Sequence, residues 1–416
     1  MSQLKVNALV SYSGNTVTLG TSGDTITVAS GVTFNTGSAT VNYPAGSITD
    51  AAISSTAAIQ QSKILGSPDF RNIVINGAMS IAQRNTSVAS ITTPGYYTLD
   101  RWLFDVGSLG TWTMSQSTDT PTGQGFANSL KLDCTTADAS PSAGDFLLIR
   151  TRFEGQNLQY LKKGTANASS LTASFWVKST KIGTFICELE DIDNTRSISK
   201  SYTVNTTNTW EFKTVTFPGD TTGALDNDNG NSLDLLHWLG AGSNFTSGTL
   251  ATSWGTIVNA NRAVGQVNIA DNTANDFLIT GIQLEAGTSA SDFEFLPVDV
   301  NLGRCLRYFQ KSYAYATAPG TNTQTGMVLQ TGSAMGSGYI GSDIKYPVEM
   351  RATPTVTSYT ESGTSGSMNY ALSGSSGTAS TVNFVSSNKT QTLQLTTGSS
   401  FVVAQLTGHW TASAEL

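Results

Sequence analysis

FLITGIQLEAGTSASDFEFLPVDVNLGRCLRYFQKSY, residues 277–313, contains the change of pattern on which the fold turns. Phe277 and Ile279 alternate with polar or small neighbours and Ile282 and Leu284 extend the run, so it opens as a strand. A Gly/Ser/Thr turn follows. The short extended run Phe293-Glu294-Phe295 then stops at Pro297, which has no amide hydrogen to give to a sheet ladder. From Asp299, a candidate N-cap, the period changes. Leu302, Cys305, Leu306 and Phe309 stand at i, i+3, i+4 and i+7, the apolar face of a helix. Asn301, Arg304, Arg307 and Gln310 take the other face, and Lys311 lies near the C-terminal end, where positive charge suits the helix dipole. A helix over 299–311 therefore joins two β domains.

Upstream, Gly66-Ser67-Pro68 marks a boundary, after which strand-like runs recur at regular spacing. They cover 72–76, 97–104, 111–115, 129–133, 146–152, 171–179, 184–191, 199–204, 211–217 and 265–269. Short strands with turn signals between them predict a jelly-roll-like β-sandwich over 66–298. Residues 233–239 fit either a helical turn or a strand. Downstream of the helix, alternation returns at 313–315, 327–330, 346–350, 355–359, 382–385, 392–396 and 401–406. Residues 299–416 thus read as the linking helix and a smaller C-terminal β-sandwich. The chain as a whole is all-β.

Residues 1–65 have a different character. NTVTLG and DTITVASG repeat nearly the same phrase nine residues apart, in strands too short to bury a face alone. In SITDAAISSTAAIQQSKIL, residues 47–65, Ile48, Ile53, Ile59 and Ile64 are spaced 5, 6 and 5 apart. That 11-residue period fits a right-handed supercoil, while the Ser, Thr and β-branched residues fit intertwined extended chains equally well. Either arrangement makes 1–65 an oligomeric stalk for attachment and trimerisation; a plain flexible linker is the alternative.

Charged residues make up only 12% of the sequence, and Gly, Ser, Thr and Asn are frequent throughout, a strand-and-turn composition. With a net charge of −7 and no cluster of Lys or Arg, the chain has no means of displacing counterions from nucleic acid. No apolar run approaches the ~20 residues needed to span a bilayer, so membrane insertion is not expected. Residues 1–10 lack the apolar core of a signal peptide, which predicts assembly in the cytoplasm. Cys134, Cys187 and Cys305 show no disulfide or metal spacing and read as buried apolar residues.

Several residues invite a functional reading. In ASFWVKST, Ala173, Phe175 and Val177 share one face, leaving Ser174, Trp176 and Lys178 on the other. An aromatic ring on a polar sheet face can stack on the apolar face of a sugar, so Trp176 is the first candidate glycan-binding residue. The alternative is that both faces are partly covered. Trp112 and Trp254 are further candidates, whereas Trp102, Trp210 and Trp238 lie among apolar residues and read as core. Glu188 and Glu190 fall on one strand face about 6.6 Å apart, within the range of glycosidase carboxylates. Any polar strand face gives that separation, so a solvated face is the plainer reading. Asp226 and Asp228 are weak metal candidates: Asn231 stands where a calcium loop needs Gly, and no Glu closes the loop. Asp100-Arg101 reads as a structural ion pair. No cofactor motif or catalytic constellation emerges.

Six blocks occur in order: NIVINGAMSIAQR (72–84), GYYTLDRWLF (95–104), ASFWVKST (173–180), LGAGSNFTSGTLATSWG (239–255), ITGIQLEAGTSASDFEF (279–295) and GRCLRYFQKS (303–312). YPVEMRATPTV (346–356) and TASAEL (411–416) complete the set. Together they resemble the C-terminal body of bacteriophage tail-fibre and tail-spike proteins, in which a carbohydrate-binding-module-like jelly roll precedes a small β domain. The N-terminal part is similar to the stems of fibre proteins of aquatic phages. The resemblance implies a homotrimeric, non-enzymatic virion protein in the phage tail. It would be held by other virion proteins through its N-terminus and bind host cell-surface polysaccharide. A capsid-attached decoration protein is the alternative it leaves open, with a polysaccharide depolymerase behind it.

Overall fold

Apolar residues at every second position build two six-stranded antiparallel sheets whose inner faces share one core. The first sheet runs β1 (Ser87–Ile91), β3 (Thr111–Ser117), β4 (Ser129–Thr136), β12 (Asp276–Ala286), β6 (Leu171–Ser179), β9 (Glu211–Phe217). The second runs β11 (Gly255–Thr256), β8 (Arg196–Val204), β7 (Gly183–Asp191), β10 (Asn231–Ala241), β5 (Phe146–Glu154), β2 (Leu103–Gly107). This is a jelly-roll-like sandwich, as the strand spacing predicted. The computed structural model describes residues 70–332, 339–372, 375–379, 382–396 and 404–416, all within the compact unit Gly66–Leu416. The expected stalk, with Ile48, Ile53, Ile59 and Ile64, lies outside the described residues.

Two strands explain how the sequence sets the sheets. In β12, Phe277 and Ile279 face inward, and so do Ile282 and Leu284, an odd step away. The pairing with β6 shifts between Thr280 and Gln283, a bulge that moves the inward phase by one residue. Gly281 sits in that bulge at φ 62, in the left-handed region. Residues 231–241 resolve the ambiguity at 233–239: β10 is a central strand buried on both faces. Its outer face is covered by an arm, residues 242–263, which includes the short helix α1 (Ser243–Thr246) and packs Phe245, Leu250 and Ala263 on Leu236 and Trp238.

The linking helix is shorter than its apolar period predicted. Helix α2 spans Val298–Leu306, with Pro297 rather than Asp299 at the N-cap. Asn301 is buried, not outward-facing, because it accepts the Asn76 amide and donates to Ser80 Oγ at 3.0 Å. Phe309 leaves the helical pattern to join β13 (Phe309–Lys311), whose backbone pairs with β21 (Ala404–Ser413). Strand β21 also pairs with β14 (Val328–Gly332), β16 (Thr355–Tyr359) and β17 (Met368–Leu372). β18 (Ser375–Ala379) extends that sheet, and β15 (Tyr339–Lys345), β20 (Thr390–Thr396) and β19 (Val382–Ser386) form a three-stranded one. Trp410, Tyr346 and Met350 centre a local core.

Three other expectations are corrected. Residues 72–76 form no strand but lead into a turn at 75–78, with the Asn72 side chain donating to the Ile282 carbonyl and accepting the Leu284 amide beside a backbone bond from Ile73 to Leu284. Residues 265–269 lead into a single 3-10 turn, Ile269–Asp271, capped by Asn268. Asp100 and Arg101 do not pair with each other: Asp100 meets Arg84, and Arg101 meets Glu415. The buried Asp100 carboxyl is pushed up to about 6 by desolvation, against the pull of Arg84.

Candidate functional site

The outer face of the first sheet holds a cleft of about 540 Å³. Because Phe175 and Val177 of β6 and Val215 and Phe217 of β9 point into the core, Trp176 and Phe212 point out. They are direct cross-strand partners with ring centroids 5.4 Å apart and planes tilted by 51°. Phe212 is 47% exposed.

A second aromatic group comes from loops. Phe126, between β3 and β4, meets Phe293 and Phe295 at centroid distances of 5.0 Å each, and those two lie 4.8 Å from one another. Phe126 rests directly on the bulge of β12, where a Cβ on Gly281 would lie 2.5 Å from its ring. Glycine is needed there for space as well as for its backbone angle.

The segment carrying Phe293 and Phe295 is a strap, residues 287–297, fixed to the sheet by buried polar side chains. Gln283, fully buried, accepts the Glu294 amide at 2.9 Å and donates to Ser291 Oγ at 3.0 Å and to Glu285 at 2.9 Å. Glu285 accepts the Ser291 amide at 2.8 Å and its hydroxyl at 2.6 Å. Glu294 in turn accepts the amides of Phe70 and Asn72 at 2.6 and 2.9 Å. Such a network holds an otherwise irregular segment in one place.

Polar lining comes from Gln124, Ser174, Ser291 and Asp292, and Asp292 is the one ionisable residue among the described lining residues. Nearby, Asp119 accepts Lys178 Nζ at 2.6 Å and Trp210 Nε1 at 2.9 Å. Partial burial raises the Asp119 pKa, but those hydrogen bonds outweigh it and hold the carboxyl below its usual range. Lys178 is thereby paired. Trp210, expected in the core, is instead half-buried at this rim.

The structure therefore places Trp176 in the cleft and separates it from the other two candidates. Trp112 is corrected to core: it is wholly buried, its Nε1 donating to the Leu109 carbonyl at 2.8 Å. Trp254 lies beside β8, half-buried, with Nε1 on the Pro218 carbonyl at 2.8 Å and Lys163 Nζ 5.2 Å from its ring centroid. Neither ring is free for a ligand at the cleft. Phe212, Phe126, Phe293 and Phe295 were missed. Phe212 had the same signal as Trp176, since EFKTVTF alternates; the loop phenylalanines had none.

Glu188 and Glu190 lie on the outer face of the other sheet, and that face is not solvated. Arg262, from the covering arm, donates Nε to Glu188 at 2.8 Å and Nη2 to Glu190 at 2.7 Å. Trp238 Nε1 donates to Glu188 at 2.7 Å, and Glu188 is fully buried. Burial raises the Glu188 carboxyl pKa despite the opposing pull of Arg262. Asp226 and Asp228 are exposed, and Asp228 Oδ1 is turned back onto the Gly230 amide at 2.7 Å. No group of three or more metal-ligating side chains occurs among the described residues.

No protein-family model matches the chain, and no curated protein matches it in sequence. Among solved structures, it is similar to the enzymatically active domain of tailspike protein 4 from bacteriophage CBA120, with 12% identity and a TM-score of 0.28. That match covers 52% of this chain and spans only 21% of the tailspike domain. A family 61 carbohydrate-binding module in complex with β-1,4-galactotriose matches at 8% identity and a TM-score of 0.27, covering 52% of this chain and 99% of the module. A family 11 module from Clostridium thermocellum with a mixed-linked tetrasaccharide matches at 11% and 0.24, covering 50% and 98%. Likenesses this distant do not bear on what the present chain binds.

Proposed function

We propose that this chain is a non-enzymatic, homotrimeric tail-fibre protein of a bacteriophage, and that the cleft on its first sheet binds neutral polysaccharide of the host surface. One observation carries the reading. Five aromatic rings, Trp176, Phe212, Phe126, Phe293 and Phe295, line a single open groove on a polar sheet face. Pyranose rings present apolar C–H faces and polar edges, which such rings and the flanking amide and hydroxyl groups match. With Asp292 the one ionisable residue among the described lining residues and Lys178 paired with Asp119, the groove offers little to an acidic sugar and much to a neutral one. Each site would be weak, and three copies on one fibre would raise the overall affinity without new contacts.

The virion assignment rests on the sequence blocks between 72 and 416 that resemble phage fibre bodies, with residues 1–65 as the segment held by other tail proteins. A non-catalytic role is favoured by Arg262, which ties up both Glu188 and Glu190. The test is competition. Purified protein should block phage adsorption and bind isolated host polysaccharide, and Trp176→Ala and Phe212→Ala should each weaken binding about tenfold. Wild-type affinity in both variants would overturn the assignment of the cleft.

A further inference from the structure

A second concavity, of about 630 Å³, opens between the end of β5 and helix α2 and shares no lining residue with the aromatic cleft. Among the described lining residues, three guanidinium groups, Arg152, Arg304 and Arg307, face a single carboxylate, Glu154. Glu154 is already satisfied. It accepts Arg307 Nε and Nη2 at 2.7 and 2.6 Å, the Tyr308 hydroxyl at 2.5 Å and Gln156 Nε2 at 2.6 Å. Arg152 leans on Asp234, with Nε 3.4 Å from Oδ2.

Arg304 is different. Among the described residues it forms no ion pair; its one hydrogen bond is a long one, Nη2 to the Asn72 carbonyl at 3.4 Å, and Nη1 makes none. Burial lowers its pKa, outweighing the opposing pull of Glu294 and other nearby groups. Among the described residues no carboxylate meets this guanidinium directly, Glu294 being turned to the amides of Phe70 and Asn72, which leaves a place for an anion. A carboxylate is the natural complement, because its two oxygens match the fork of a guanidinium. At the mouth, Tyr160 is 51% exposed, and beside it Asn157 carries an exposed amide. Ring and amide together suit the C–H face and hydroxyls of a sugar.

We infer that this pocket binds a hexuronate residue, its carboxylate on Arg304 and its ring against Tyr160. It would be a second glycan site, selective for acidic sugar where the cleft takes neutral sugar. One fibre could then read two features of a host polysaccharide.

The experiment is calorimetric titration of the full chain with sodium glucuronate, beside glucose, acetate and inorganic phosphate. Glucuronate should bind saturably, glucose should not, and acetate and phosphate should bind at least about tenfold more weakly. Arg304→Gln should lower glucuronate affinity at least about tenfold, and Tyr160→Ala severalfold. Trp176→Ala should leave it unchanged, which separates this site from the cleft. Absence of saturable glucuronate binding overturns the inference. So does equal affinity for acetate or phosphate, which would make the pocket an ion site with no part for the sugar. Should Arg304→Gln fail to fold, Tyr160→Ala decides, since that ring is exposed; wild-type affinity there refutes the assignment.

Discussion

His237 gives the core an acid-sensitive point. It lies on the inward face of β10, fully buried, its ring 4.8 Å edge-on from Phe175, and among the described residues neither ring nitrogen has a hydrogen-bond partner. Desolvation lowers its pKa to about 3. In the unfolded chain the ordinary value of ~6.5 applies. Below that value the unfolded state binds a proton that the folded state refuses, so stability falls as pH falls, from about pH 6.5 until the folded group titrates near 3. Each pH unit within the window is worth about 1.4 kcal/mol, so between pH 7 and pH 5 this one residue should remove about 2 kcal/mol. Other groups titrate in the same range. Asp100, raised to about 6, works in the opposite direction, adding stability as pH falls from about 6 towards its unfolded value. The measurement must therefore be a difference. Urea unfolding of wild type and His237→Phe at pH 7, 5 and 4 isolates the histidine, because every other group is common to both. The variant should be at least as stable at pH 7, since it removes two unsatisfied buried nitrogens, and its advantage should widen by about 2 kcal/mol at pH 5. Parallel pH profiles for the two proteins would show that the imidazole is not held neutral by burial, and the reasoning would fail.

Three further changes probe the site and its supports. Gly281→Ala places a Cβ against the Phe126 ring at a left-handed backbone position; it should cost about 1–2 kcal/mol from the backbone alone and weaken glycan binding through displaced Phe126, read by urea midpoint and affinity together. Gln283→Ala orphans the Glu294 amide and frees the strap, for about 1–3 kcal/mol; hydrogen exchange at residues 287–297 should rise while that of β6 stays unchanged. Arg262→Ala leaves Glu188 buried without its cation and should cost about 3–5 kcal/mol, part of which adding Glu188→Gln should restore; if the single variant unfolds in urea like wild type, the pair contributes nothing to stability.

Alternation carried most of the sandwich. The inward set Ala173, Phe175 and Val177 fixed both the core face of β6 and the outward direction of Trp176, and the same reasoning applied to β9 would have found Phe212. It would also have rejected Trp112, whose neighbour at two positions, Met114, is wholly buried with it. Elsewhere the local signal was insufficient. Nothing near Glu188 says that an arm more than fifty residues along the chain lies over it, because a polar strand face looks the same whether covered or wet. Phe293 and Phe295 are placed by side-chain to backbone bonds, from Gln283 and Glu285 a few residues back and from Glu294 to the distant amides of Phe70 and Asn72, and such bonds leave no periodicity by which to locate them. The helix ended early for a related reason: the edge of β21 offered Phe309–Lys311 a backbone ladder that the helical period could not reveal.

The aromatic cleft has two halves of unequal permanence. Trp176 and Phe212 belong to strands whose alternate residues are core, so their spacing can change only if the sandwich changes. Phe126, Phe293 and Phe295 stand on connecting segments, where insertion and substitution are tolerated far better. Selection can therefore rewrite one half while inheriting the other intact. Under the proposed reading, variation would gather first in residues 118–128 and 287–297, trading one sugar preference for another on an unchanged chassis.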